Sequence, residues 1–171
     1  MQRLNTRAQF QAAMSGGVIS RTAHFALHRL VLESAESAAT ITSTGPGSLP
    51  TAQGPQALFA VPGQPYPQCW LGPLVPKRWA KRSVTRHAVK RQVYAVAQDF
   101  APQFERLPKA AFVVRLRAGF DHKQFVSATS DVLKAAVRAE LQQLYASAVR
   151  RGNQPAKPRT TAVPSVPEGV A

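Results

Sequence analysis

The chain's apolar positions repeat with two different periods, and they separate it into short elements. Over residues 5–14, Phe10 and Met14 stand four apart among Ala8, Ala12 and Ala13. That spacing predicts a short helix with one buried face, capped by Asn5 or Thr6 and ended at Gly16-Gly17. Residues 23–32 alternate instead: Phe25 and Leu27 fall on one side, with Ala26 and His28 on the other. This is the period of a half-buried strand. Residues 69–75 predict a second strand, in which Pro73 lacks an amide donor and so requires an edge or a bulge. From Ser83 or Thr85 to about Gln98 the helical period returns. Val89, Val93, Val96 and Phe100 form its buried stripe, and Arg86, Lys90 and Tyr94 a parallel stripe on another face. Residues 110–117 hold the most strand-like run, Phe112-Val113-Val114, with Arg115 and Arg117 on one side and Val114 and Leu116 on the other. A last helix over about 129–149 carries Leu133, Val137, Leu141, Leu144 and Ala148 on its core face. The order is helix, strand, long loop, strand, helix, strand, helix. It gives an α+β fold, a small sheet packed with helices and containing a β-α-β crossover. By the general rule that crossover is right-handed.

Two segments break the pattern. Residues 33–68 are rich in Ser, Thr, Ala, Gly and Pro and poor in long apolar side chains, which predicts a flexible insertion between strands. Within it, Leu58-Phe59-Ala60-Val61 predicts a short apolar turn or strand. From Gly152 onward the Pro-rich chain predicts a disordered tail, leaving residues 1–151 as a single domain.

Charge changes the picture most. Of 171 residues, 22 are basic and 8 acidic, for a net charge of +14. Seven of the fifteen residues from Lys77 to Arg91 are Lys or Arg, and no Asp or Glu occurs between Glu36 and Asp99. Such a run repels itself unless a polyanion neutralises it, and a nucleic-acid backbone does so with release of counterions. A membrane surface fits poorly, since no basic amphipathic helix with an aromatic face occurs. No apolar run reaches spanning length, and no apolar segment of the kind found in signal peptides follows the N-terminus. Cys69 is the single cysteine, so no internal disulfide forms, which suits a reducing cytoplasm. The acidic residues give no paired carboxylates of a two-metal nuclease. His24 and His28 lack a third ligand at metal spacing and read as solvent-facing or RNA-facing. His24, His28, His87 and His122 set no acid–base constellation by spacing alone. No catalytic or metal-binding residue is therefore expected on the protein.

The basic stretch and its frame resemble the protein subunit of bacterial ribonuclease P. That family carries a pattern of the type K-K-x-x-(K/R)-(K/R)-x-x-x-R-N-R-(I/V)-K-R leading out of a strand. Lys77-Arg78, Lys81-Arg82, Arg86, Val89, Lys90 and Arg91 occupy matching positions. Arg3-Leu4, Phe10, Gly16 or Gly17, and Phe25-Ala-Leu-His also resemble its opening. The central triplet departs, reading Arg86-His87-Ala88. His87 keeps a planar hydrogen-bonding group, and Ala88 loses a cation. The resemblance covers about residues 3–148.

It implies a ribosomal-protein S5 domain 2-like α+β fold, with a left-handed crossover in place of the general expectation. It also implies a cytoplasmic protein that joins a catalytic RNA and promotes removal of the 5′ leader from precursor tRNA. The chemistry lies on the RNA, with Mg²⁺ bound mainly there, and no protein partner is implied. Lys77, Arg78, Lys81, Arg82, Arg86, His87, Lys90 and Arg91 would contact the catalytic RNA. Phe10, Phe25, Tyr94 and Arg115 would line the leader groove. The residues leave open whether Phe10 and Phe25 are groove or core, and whether Trp79 stacks on a base or caps the core. Two competing readings are a non-enzymatic RNA-binding or ribosome-associated protein on a similar fold, and a free-standing protein ribonuclease.

Overall fold

In the computed structural model, residues 1–32, 55–61, 63, 68–121 and 130–152 are described. Most of the 33–68 insertion, His122 and the tail beyond Gly152 lie outside them.

Five strands form one mixed sheet: β1 (Gln2–Arg3), β2 (Val18–Arg21), β3 (Phe25–Val31), β4 (Trp70–Leu74) and β5 (Ala110–Leu116). Their spatial order is β1-β4-β5-β3-β2. The helices are α1 (Arg7–Ser15), α2 (Ser83–Asp99), the short α3 (Ala101–Glu105) and α4 (Asp131–Gly152). Pro55–Phe59 make a 3-10 turn, which overlaps the short apolar turn or strand expected over 58–61 at Leu58 and Phe59. β4 and β5 pair in parallel, so α2 and α3 form the crossover between them.

The sheet is covered on both faces. α2 and α4 bury one face over Phe25, Leu27, Leu71, Phe112, Val114 and Leu116. The predicted stripe of α2 is buried at Val89, Val93 and Val96, and every predicted core residue of α4 is buried as well. Tyr145 joins them, its hydroxyl donating to the Val93 carbonyl at 3.2 Å. Burial pushes that phenol far above its ordinary range. α1 and the 3-10 turn cover the other face, over Leu4, Trp70, Ala111 and Val113. β5 is therefore buried on both sides, which is why it reads as a nearly continuous apolar run.

α1 begins at Thr6, whose hydroxyl accepts from the Gln9 amide while the Gln9 side chain accepts from the Thr6 amide. This capping box satisfies two of the helix's orphan donors. At the other end Gly17 has φ 94°, a conformation that favours glycine, and it turns the chain into β2. Pro73 sits in a strand with neighbours on both sides, but β1 pairs only with Trp70 and Leu71. Past them the outer side of β4 is open, so the missing amide costs no ladder bond.

Candidate nucleic-acid interface

β4 ends at Leu74, and the chain then folds into a tight turn. The amides of Trp79 and Ala80 both donate to the Pro76 carbonyl, at 3.1 and 3.2 Å. Ala80 is buried, while Lys77, Arg78 and Trp79 face out. Arg86, one turn into α2, reaches back with Nη1 to the carbonyls of Ala80 (3.0 Å) and Lys81 (2.7 Å). Its guanidinium thus clasps the connection to the helix. Lys77, Arg78, Lys81, Arg82, His87 and Arg91 are exposed, and Lys90 and Arg86 are half-buried. The ion pairs among the described residues are His24–Glu140, Lys134–Asp131 and Arg138–Asp99. None involves a cation of the connection or of α2. Trp79 carries the Arg78 guanidinium over its ring at 5.4 Å, a cation–π contact at the surface, and does not cap the core.

On the α1 face the register sets side chains in rows across the sheet. Trp70, Ala111 and Leu30 form the first row, and Gly72, Val113 and His28 the second. Leu74, Arg115, Ala26 and Arg21 form the third. Phe10 of α1 lies on Gly72, and the His28 imidazole meets the Met14 carbonyl at 3.3 Å. α1 thus covers the first two rows. In the third, two arginines flank the small Ala26, roughly 10 Å apart by strand spacing. The Arg115 Nε is buried with no hydrogen-bond partner among the described residues.

The four groove residues expected from the sequence are not brought together. Phe10 and Arg115 share the α1 face. Phe25 lies on the opposite face, 0% exposed beneath α2 and α4, so it is core and stacks no base. Tyr94 also packs on that core, with the Arg3 guanidinium 4.5 Å over its ring. The alternation of β3 put Phe25 and His28 on opposite sides correctly, but nothing in it says which side is open. His24, expected beside His28, precedes β3 and turns the other way. It stacks on Phe120 at 4.1 Å, and its Nδ1 lies 2.9 Å from Glu140. Arg21 was missed because β2 is too short to show a period.

A family profile described as Ribonuclease P matches residues 1–140, four-fifths of the chain. The chain belongs to the ribonuclease P protein family. It is the protein component of the ribonucleoprotein endonuclease that processes the 5′ end of tRNA, with catalysis by the RNA. Its partners are ribonuclease P RNA and precursor tRNA. Among solved structures, the Staphylococcus aureus RNase P protein is similar at 14% identity and a TM-score of 0.48, over 85% of this chain and 94% of that one. No curated protein matches the chain.

A resident Mg²⁺ does not fit the described side chains. No group of three or more potential ligands occurs among them, and Asp99, Asp131 and Glu140 each already face a cationic or imidazole partner. No helix among the described residues is long and apolar enough to cross a membrane.

Burial lowers the His28 pKa most, with Arg115 and Arg21 adding to the effect against the Met14 hydrogen bond. The unfolded chain therefore takes up a proton at a higher pH than the folded one, and stability falls as pH drops below about 6.5. Thermal melts from pH 7.5 to 5 should show this loss, and His28→Gln should reduce it.

Proposed function

We propose that the two surfaces divide the labour of the holoenzyme. The connection and outward face of α2, with Lys77, Arg78, Lys81, Arg82, His87, Lys90 and Arg91, grip phosphates of the catalytic RNA. Arg86 holds the connection in shape and adds charge beside it. These contacts neutralise backbone and carry little sequence information. The third row of the α1 face, with Phe10 as its wall, holds the single-stranded leader: Arg115 and Arg21 take phosphates, and Phe10 offers a ring edge to a base. The observation that carries this reading is the row itself. It sets two guanidiniums, without carboxylate partners among the described residues, in the row beyond α1, and its Leu74 end runs through Val75 and Pro76 directly into Lys77.

Mg²⁺ belongs on the RNA in this scheme, because a chain of net charge +14 repels a divalent cation. Residues 1–151 act as one RNA-binding unit in the cytoplasm, where precursor tRNA is made.

The test is reconstitution with the cognate RNA at low Mg²⁺. Arg115→Ala and Arg21→Ala should each weaken binding of precursor tRNA by roughly tenfold, the scale of a lost charge-assisted hydrogen bond. Binding of mature tRNA, which lacks the leader, should be unchanged. Equal loss for both substrates would remove the row from the leader path.

A further inference from the structure

The cationic face of α2 is not a continuous surface. Between the first half of α2 and the start of α4 lies a cavity of about 300 Å³, lined by Val84, His87, Ala88, Arg91, Gln92 and Lys134. Arg91, Lys134 and His87 supply it with a guanidinium, an ammonium and an imidazole, and no carboxylate among the described residues lines it. Among the described residues the Lys134 ammonium pairs with Asp131, at 3.0 Å, and that carboxylate is 98% exposed, so the pair is solvent-screened and easily exchanged. Apolar surface sits among these charges. Val84 is 53% exposed, and Ala88 contributes only a methyl group, leaving the hollow open. Gln92 adds an unmet need: its Oε1 is buried without a hydrogen-bond partner among the described residues. A buried acceptor of this kind gains from an incoming donor.

We propose that this hollow takes one unstacked nucleotide of the RNA partner. The base rests on Val84 and Ala88 beside the Arg91 guanidinium, and its phosphate lies between Arg91 and Lys134. A rotation of Gln92 brings its amide oxygen to an N–H of the base edge. Inorganic phosphate alone would satisfy the cations but leave Val84 in water. A duplex does not enter a space at the lower end of small-ligand sites. Proteins read RNA through single splayed-out bases, which combine an apolar face, an anion and hydrogen-bonding edges in one unit. The proposal rests on the reading of this face as the grip on catalytic RNA, and it adds Val84, Gln92 and Lys134 to that grip.

Ala88→Leu fills the hollow without changing charge, and leucine suits a helix. Near-UV circular dichroism confirms that the variant is folded. Its affinity for ribonuclease P RNA should fall roughly tenfold, the size of a lost base contact, with an unchanged salt slope. Lys134→Gln, a surface change that leaves the core alone, should weaken binding and reduce the log–log salt slope by about 0.7–0.9. In the free protein, nucleoside 5′-monophosphates should shift the amide resonances of Val84, Ala88 and Gln92 more than inorganic phosphate does. Wild-type affinity in folded Ala88→Leu, or equal shifts with phosphate alone, overturns the pocket while the wider interface stands. Failure of the wild-type protein to bind the RNA overturns both.

Discussion

Changing Lys77, Arg78, Lys81 and Arg82 together to glutamine is expected to weaken binding to ribonuclease P RNA by roughly a hundredfold or more at physiological salt. The log–log dependence on salt should flatten by about 3, since each lost phosphate contact removes about 0.7–0.9 from the slope. All four side chains are exposed and lack ion-pair partners among the described residues. Their removal therefore costs the fold little, and melting should stay near wild type. Arg86 is kept out of this set for a structural reason. It donates to the carbonyls of Ala80 and Lys81, so its loss frees the connection that carries its neighbours. Arg86→Ala should lower affinity by more than one contact predicts, while the slope changes by only about one contact's worth. Filter binding across a salt series measures both quantities. An unaltered slope in the fourfold variant would remove these cations from the RNA contact.

Long periodic elements are legible in the sequence. The stripe Val89, Val93, Val96 and the five core positions of α4 are long enough for a helical period to stand out. The charge run from Lys77 to Arg91 survives folding as an exposed surface because nothing acidic lies within it to pair internally. Elements shorter than their own period were not legible. β1 has two residues and β2 has four with a bulge between Val18 and Ser20, and both are fixed by neighbours distant in sequence. The residues expected together at one groove were split between faces for a related reason. Alternation tells that Phe25 and His28 face opposite ways, but both faces of this sheet are covered, one by α2 and α4 and the other by α1. Only the register shows that the row α1 leaves uncovered contains Arg21 and Arg115 and excludes Phe25. Arg86 matched the family pattern as one cation among several, and its clasp depends on a turn at Pro76 that no pattern encodes.

Gly72→Val is expected to be strongly disruptive on the groove side. A Cβ at Gly72 would stand 2.6 Å from two ring carbons of Phe10 and 2.8 Å from the Leu4 Cβ. Valine suits a strand intrinsically, so the cost comes from packing alone. Overpacking of this kind costs about 3 kcal/mol, or roughly 6–12 °C in melting temperature for a domain of this size. The relief should come by lifting α1 away from β4, because Phe10 is half-buried and the Leu4 amide donates a hydrogen bond to the Leu71 carbonyl at 3.0 Å, which fixes Leu4. Phe10→Ala in the same chain removes the obstructing ring. The double variant should therefore lie above the sum of its two single losses, a coupling of about 1 kcal/mol or more that a thermodynamic cycle resolves. Function should divide in the same way. Gly72→Val displaces the groove wall but leaves the α2 cations where they are, so the variant should bind ribonuclease P RNA normally and lose its preference for precursor over mature tRNA. Loss of both activities at a temperature where the variant remains folded would mean that the two surfaces are not separable through α1.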